Sequence, residues 1–189
     1  MEEVEGLTEN SEEHIHHAAH SGPQWASWVA LSTAILATLA AISALLSGSN
    51  ANEAMLQQLE ASDQWGYYQA KGIKGAVAET YSGLLVAAGK PADPKLDEKV
   101  ARYREEQEKI SEGAKELQTE SRASFGRHEI FSKSVTLFQV SIAVSAISVL
   151  TKRQRYWFVS LVFGAGGLIF LFLGLAKQFG PALGGHGGH

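Results

Sequence analysis

Cysteine is absent from this 189-residue chain, which excludes a disulfide framework and any metal site built on thiolates. Basic residues are also missing over long stretches, and no Lys or Arg precedes Lys71. The formal net charge of −4 at pH 7 offers no basic face for a phosphate backbone. We therefore exclude nucleic acid as a partner.

Charge of either sign is absent from three windows, 25–52, 134–151 and 156–176. About 20 apolar residues at about 1.5 Å rise per residue cross the hydrocarbon core of a bilayer. The windows predict transmembrane helices at 25–46, 134–151 and 156–176, with the lipid bilayer as the first partner. Small residues recur along the first span and predict the close approach of another helix. They are Ala26, Ala30, Ala34, Ala37, Ala41 and Ala44.

Between the first two spans, residues 47–133 predict a long antiparallel helical hairpin outside the bilayer, with its turn at 89–94. Two prolines and a glycine in that turn cannot continue a helix. In both arms, presumptive core residues recur every three or four positions, as in a coiled coil. In the first arm they are Leu56, Leu59, Asp63, Gly66, Ala70, Ile73, Val77, Thr80, Leu84 and Ala87; in the second, Leu96, Val100, Tyr103, Gln107, Ile110, Ala114, Leu117, Ser121, Ser124, His128 and Phe131. The predicted class is an all-α membrane protein with a coiled-coil-like stalk.

The arms are of nearly equal length, about 42 and about 39 residues, so the hairpin returns the chain to the membrane surface. A turn centred near Pro91 and Ala92 predicts that residues whose numbers sum to about 183 face each other. Ile73 and Ile110 are such a pair.

Asp63 falls at a core position of this register, where an unpaired carboxylate is costly to bury, and Arg122 is the nearest cation. We predict an ion pair between Asp63 and Arg122, unless the repeat slips at Gly66 and leaves Asp63 in solvent. Trp65 and Tyr68 are predicted to pack the arms or adjacent protomers together. The alternative is that they mark a partner-binding patch.

The two ends of the chain are predicted to be flexible tails. Residues 1–24 are acidic and carry His14, His16, His17 and His20, imidazoles that suit zinc, nickel or copper. A histidine-rich tail also binds metal weakly without that being its task. Residues 177–189 are rich in glycine and histidine.

The second span carries a polar strip formed by Gln139, Ser141, Ser145 and Ser148. These residues could line a narrow pore in an oligomer or form hydrogen bonds to neighbouring helices. A basic turn at 152–155 joins the second and third spans, and the positive-inside bias places it in the cytoplasm. The hairpin then lies on the periplasmic side, although Arg122, Arg127 and Lys133 argue for the reverse.

No catalytic motif is present: the zinc-protease, phosphate-loop and nucleophile-elbow patterns are all missing. The three spans contain no Asp, Glu, Lys, Arg or His, which disfavours coupled transport. We predict neither an enzymatic activity nor a cofactor.

Several segments resemble a family of small bacterial membrane proteins catalogued as domain of unknown function 4337. They are WVALSTA (28–34), NANEA (50–54), SDQW (62–65), YQAK (68–71), ARY (101–103), TLFQ (136–139) and KRQR (152–155). The resemblance covers nearly the whole chain except the glycine-rich end. It implies the same layout and brings no activity, cofactor or catalytic residue with it.

These observations favour a structural or protein-interaction component of the bacterial inner membrane that self-associates and presents a helical stalk. Its expected partners are further copies of itself and other membrane proteins. Two other functions stay open: an oligomeric pore lined by the second span, and a metal-responsive protein using the amino-terminal histidines.

Overall fold

The computed structural model describes residues 24–91 and 93–180, which are helical apart from two short turns. Helix α1 covers Gln24–Ala87, α2 covers Pro94–Thr151 and α3 covers Gln154–Phe179. Each helix contains a window long and apolar enough to cross a membrane, with mean hydropathies of 2.2, 1.8 and 2.4. The all-helical class and the three apolar helices are therefore confirmed for this part of the chain. The histidines of both tails lie outside it, whereas residues 177–179, predicted as tail, continue α3.

Helix α1 ends because Gly89 adopts a left-handed conformation, with φ of +71°. The amide of Gly89 donates to the carbonyl oxygen of Val86 at 3.0 Å, and that of Lys90 donates to Leu85 at 2.9 Å. This pair of bonds is the Schellman closure, and glycine adopts its conformation without a Cβ clash. The chain reversal thus starts at Gly89.

Helix α2 begins with a side-chain cap. The Oδ1 atom of Asp93 accepts a hydrogen bond from the amide of Lys95 at 3.0 Å. Pro94 occupies the first helical position, where its missing amide hydrogen costs nothing. At its other end α2 is separated from α3 only by Lys152 and Arg153, so the basic turn is shorter than predicted.

The chain divides into two compact units, which are described separately. We call Leu46–Glu129 the charged unit, and the described residues 24–45 and 130–180 the apolar unit. All the ion pairs found among the described residues lie in the charged unit.

In the apolar unit, glycines of α3 allow a close approach to α2. A Cβ atom on Gly174 would lie 2.5 Å from the ring of Phe131, and one on Gly167 would lie 2.7 Å from the ring of Phe138. Both phenylalanines are fully buried. A Cβ atom on a third glycine, Gly164, would lie 2.8 Å from the side chain of Leu36 in α1. The rings therefore fill space that side chains on α3 would otherwise occupy.

In the charged unit, α2 buries the repeat predicted for it. Ala114, Ser121 and Ser124 are fully or nearly buried, and the larger members of the repeat are half-buried. The repeat assigned to the core face of α1 is wrong. Except for half-buried Ala70, its members are exposed, and α1 instead buries Ala54 and Ala61.

The predicted register of the charged unit is also displaced. As α1 is followed towards its carboxyl end, its contacts on α2 move towards the amino end, and their residue numbers sum to between 175 and 183. Ile73, expected to face Ile110, is 66% exposed. The contacts are therefore centred ahead of the predicted centre at Pro91 and Ala92, although the turn begins at Gly89 as predicted.

Candidate interaction site

A chain of hydrogen bonds crosses the charged unit near residue 50. Arg127 Nε donates to Asn50 Oδ1 at 2.8 Å, and Arg127 Nη2 donates to Ser124 Oγ at 2.9 Å. Ser124 Oγ donates in turn to Gln57 Oε1 at 3.0 Å, while Asn50 Nδ2 donates to the Leu46 carbonyl at 2.8 Å. This network of hydrogen bonds joins α1 to α2.

Two further contacts extend this network. His128 Nδ1 lies 2.9 Å from the carbonyl oxygen of Ser47. The same nitrogen lies 2.9 Å from the hydroxyl oxygen of Ser47. Ser121 Oγ donates to the carbonyl of Ala54 at 2.8 Å. The carboxylate of Glu53 stands 3.7 Å from Arg127 Nη2 and adds a longer ion pair.

A second cluster surrounds Lys71 farther along α1. Its ammonium lies 2.5 Å from a carboxylate oxygen of Glu106, and 5.1 and 5.4 Å from the ring centroids of Tyr67 and Tyr103. The hydrogen bond from Lys71 lowers the pKa of Glu106, and the same bond raises the pKa of Lys71, with a smaller contribution from Tyr67. Both groups are therefore held in their charged forms.

Trp65 and Tyr68 lie beside this cluster. Both are half-buried, and their rings meet edge to face with centroids 5.4 Å apart. The carbonyl of Tyr68 accepts a hydrogen bond from Gln107 Nε2 at 3.1 Å. Tyr68 thus lies at the contact between α1 and α2 within a single chain, and Trp65 packs beside it.

The ion pair predicted between Asp63 and Arg122 is not formed. Both residues are exposed, and neither takes part in an ion pair among the residues that the structure describes. Asp63 belongs to the outward face of α1, so its carboxylate stays in solvent and requires no cation. The cation that does join α1 to α2 in this region is Arg127.

The polar strip of the second span divides between two surfaces. Ser141, Ser145 and Ser148 are fully buried, whereas Gln139 is exposed. Ser141 Oγ donates to the Ser160 carbonyl at 2.6 Å, and Ser145 Oγ lies 2.9 Å from Ser160 Oγ. The serine face of α2 is therefore covered by α3 of the same chain, an arrangement that matches interhelical hydrogen bonding.

A similar serine connection joins all three helices of the apolar unit. Ser43 Oγ of α1 lies 3.2 Å from Ser134 Oγ of α2, which donates to the Gly167 carbonyl of α3 at 2.8 Å. Sequence reasoning missed Ser43, Ser134 and Ser160. Ser134 lies seven residues before Ser141, on the same helix face, and that spacing was the available signal.

The outward face of α1 in the charged unit carries large apolar side chains. Five of them are between 61 and 66% exposed: Leu56, Leu59, Ile73, Val77 and Leu84. We call these five residues the α1 stripe. Leu59, together with Met55 and Phe125, also borders an open groove of about 910 Å³ between α1 and α2.

The described residues contain no group of three or more potential metal ligands. His14, His16, His17 and His20 lie outside that part of the chain, so the metal hypothesis is untested. Within each unit, the arrangement supplies contacts between helices.

The fold and these contacts define an all-helical protein with three helices apolar enough to cross a membrane. The chain belongs to a family described as a domain of unknown function, DUF4337, whose sequence profile matches residues 25–177. No curated protein and no solved structure matches the chain.

Proposed function

We propose that this protein is a multi-pass component of the bacterial inner membrane that self-associates and presents the charged unit as an antiparallel helical stalk. The observation that carries the proposal is the change of composition within continuous helices. Residues 25–52 of α1 and 134–151 of α2 contain no charge, whereas charged side chains recur along the rest of both helices. Such a change is expected where a helix passes from lipid into water.

The surface of the apolar unit supports the membrane location. Its exposed side chains include Leu31, Ile35, Val162, Ile169 and Phe172, each more than half exposed. A soluble protein rarely exposes so many large apolar groups together. In a lipid bilayer these side chains face hydrocarbon and not water, so their position on the surface carries no hydrophobic free-energy cost.

Self-association is supported by alanines on the first span. Ala30, Ala34, Ala37, Ala41 and Ala44 are exposed within the single chain. A row of small side chains lets two helix backbones approach closely in a bilayer. We propose that another copy uses this row, and that other membrane proteins reach the stalk.

We assign no catalytic step to the protein. The hydrogen bonds of Arg127 with Asn50 and Ser124 join α1 to α2, and we propose that their role is structural. The serines of the second span are engaged with α3, so no observation favours the pore over the interaction role.

The orientation is tested with single cysteines, which the cysteine-free chain makes selective. Lys90→Cys lies in the turn between α1 and α2 and spares Asp93, whose side chain caps α2. With the basic turn in the cytoplasm, a membrane-impermeant maleimide labels Lys90→Cys on intact spheroplasts. Arg153→Cys, the matched control, is labelled only after lysis. The opposite pattern would reverse the orientation, and labelling of both sites on intact cells would contradict the three-span layout.

Self-association is tested on the full chain by native mass spectrometry from several detergents. An oligomer is expected in each. A monomer in every detergent and in lipid nanodiscs would contradict the proposal.

A further inference from the structure

We propose that the α1 stripe is the docking face for a second copy of this chain, with the two α1 helices parallel and in register. This inference rests on the proposed membrane anchoring. It goes beyond that function by naming a contact in the charged unit, away from the alanine row of the first span.

The spacing of the stripe fits another helix. Leu56 and Leu59, like Ile73 and Val77, are three or four residues apart, and Leu84 continues the same phase. A repeat of 3.5 residues on an exposed helix face is the pattern by which two helices wind around each other. Over 28 residues it extends about 42 Å at about 1.5 Å rise per residue. Among the residues that the structure describes, no helix covers the stripe, because α2 packs against Ala54 and Ala61 of α1.

A second copy suits this face because the face is complementary to itself. Two copies anchored in one bilayer leave the membrane at the same residue, so each residue of α1 is level with its own counterpart. A two-fold axis along the membrane normal then places Ile73 beside Ile73 and Leu84 beside Leu84. The common membrane anchor therefore fixes the register of the two helices, whereas a soluble partner would have to find it by diffusion.

The charges flanking the stripe permit this pairing. In a parallel pair, the residue just before the first core position of each heptad meets the residue five places later on the other copy. Glu60 thus meets Met55 of the second copy, and Lys74 meets Gln69 of the second copy. Neither of these flanking contacts joins like charges.

Asp63 is the exception, because it lies in the stripe's phase and meets its own counterpart. Gly66 and Ala70 follow it, so the middle of the stripe has no large apolar side chain. A polar residue at a core position fixes register and oligomer state while weakening the pair. Asp63→Asn should therefore increase the paired fraction.

Cysteine cross-linking of the full chain in native membranes tests the proposal, because a disulfide forms only when the Cα atoms come within about 7 Å. Ile73→Cys and Leu84→Cys should each give a disulfide-linked dimer on mild oxidation. Glu105→Cys, equally exposed but on α2, should give none. Adding Val77→Lys to Ile73→Cys should abolish the dimer while circular dichroism shows an unchanged helix content.

The outcomes separate this proposal from the proposed function. Oligomers in native mass spectrometry without cross-links at the stripe would overturn the docking face and leave self-association standing. Monomers together with absent cross-links would overturn both. Cross-links formed only between co-expressed Leu59→Cys and Val77→Cys chains would show antiparallel pairing and overturn the parallel arrangement.

Discussion

The apolar and charged units contain segments of the same two helices, α1 and α2, yet they expose apolar surface for different reasons. Both bury small or polar residues between helices: Ser141 and Gly167 in one, Ala61 and Ser124 in the other. Both expose large aliphatic side chains. We propose that lipid covers those of the apolar unit and that a second copy covers the α1 stripe. Apolar periodicity alone therefore identifies a face without identifying what covers it.

The largest loss of stability is expected when a glycine of α3 that packs against a ring of α2 is replaced. Gly174→Ala places a Cβ atom 2.5 Å from the fully buried ring of Phe131. Overpacking of this kind costs about 1–3 kcal/mol, so the thermal unfolding midpoint in detergent should fall.

Gly166→Ala on the same helix is the control, because its Cβ would lie 3.4 Å from Leu137 Cδ1. Both variants gain the same helix propensity, and only the first meets a ring. Equal midpoints for the two would contradict the close approach of α3 to α2.

The hydrogen-bond network around Arg127 in the charged unit should give the next largest effect. Arg127→Ala removes the hydrogen bonds to Asn50 and Ser124, and because the Arg127 side chain is partly exposed, the loss should total about 1–2 kcal/mol. The free energy of unfolding of the charged unit should fall by this amount, as measured by hydrogen exchange of its amides. Arg122→Ala removes an exposed cation with no ion-pair partner among the described residues and should change stability by less than about 0.5 kcal/mol. A larger loss from Arg122→Ala would restore the pair with Asp63.

The ion pair between Lys71 and Glu106 should give the charged unit a pH dependence. The pKa of Glu106 is below its ordinary 4.5, so its contribution is present above pH 4.5 and is lost as pH falls through the lowered value. The pKa of Lys71 is above 10.5, so its contribution is present below pH 10.5 and is lost as pH rises through the raised value. Glu106→Gln should remove the acid-side loss in a pH series of thermal melts. Glu105→Gln, from the exposed pair with Lys109, should leave that loss in place.

The smallest changes in stability are expected for substitutions of two buried serines of α2. Ser145→Ala loses the hydrogen bond to Ser160 and should cost about 0.6 kcal/mol, the average for such bonds in membranes. Ser148→Ala removes a buried hydroxyl that has no partner among the described residues and should be neutral or slightly stabilising. Detergent unfolding curves compare them directly, and a larger cost for Ser148→Ala would point to a partner for that hydroxyl.

The sequence was sufficient to predict the three helices and the face of α2 that packs in the core. The charge-free windows predicted the three apolar helices, and the prolines at 91 and 94 predicted the turn between the first two. The α2 repeat was recognised correctly because its alternative face is occupied by charged residues such as Arg102 and Glu105. No other apolar face competes with it.

Helix α1 was misread because it has two plausible faces. Leu56, Ile73 and Val77 form the more apolar one, and a hydrophobic repeat carries no information about which chain covers it. The face that packs in the chain is smaller and more polar, with Asn50, Ala54 and Ala61. The register error arose because the register was derived from the middle of the turn, whereas contacts such as those of Gln107 and Arg127 determine how far one helix is displaced along the other.

The contrast between the two units is tested most directly by nitroxide spin labels on the protein in liposomes. Three sites are compared, Ile169→Cys in the apolar unit, Ile73→Cys in the α1 stripe and Glu105→Cys on the charged face. Oxygen, which concentrates in lipid, should reach the label at Ile169, and a water-soluble nickel chelate should reach the one at Glu105. The label at Ile73 should be shielded from both reagents. Equal access of the nickel chelate to Ile169 and Glu105 would contradict the membrane location, and free access to Ile73 would contradict the covered stripe.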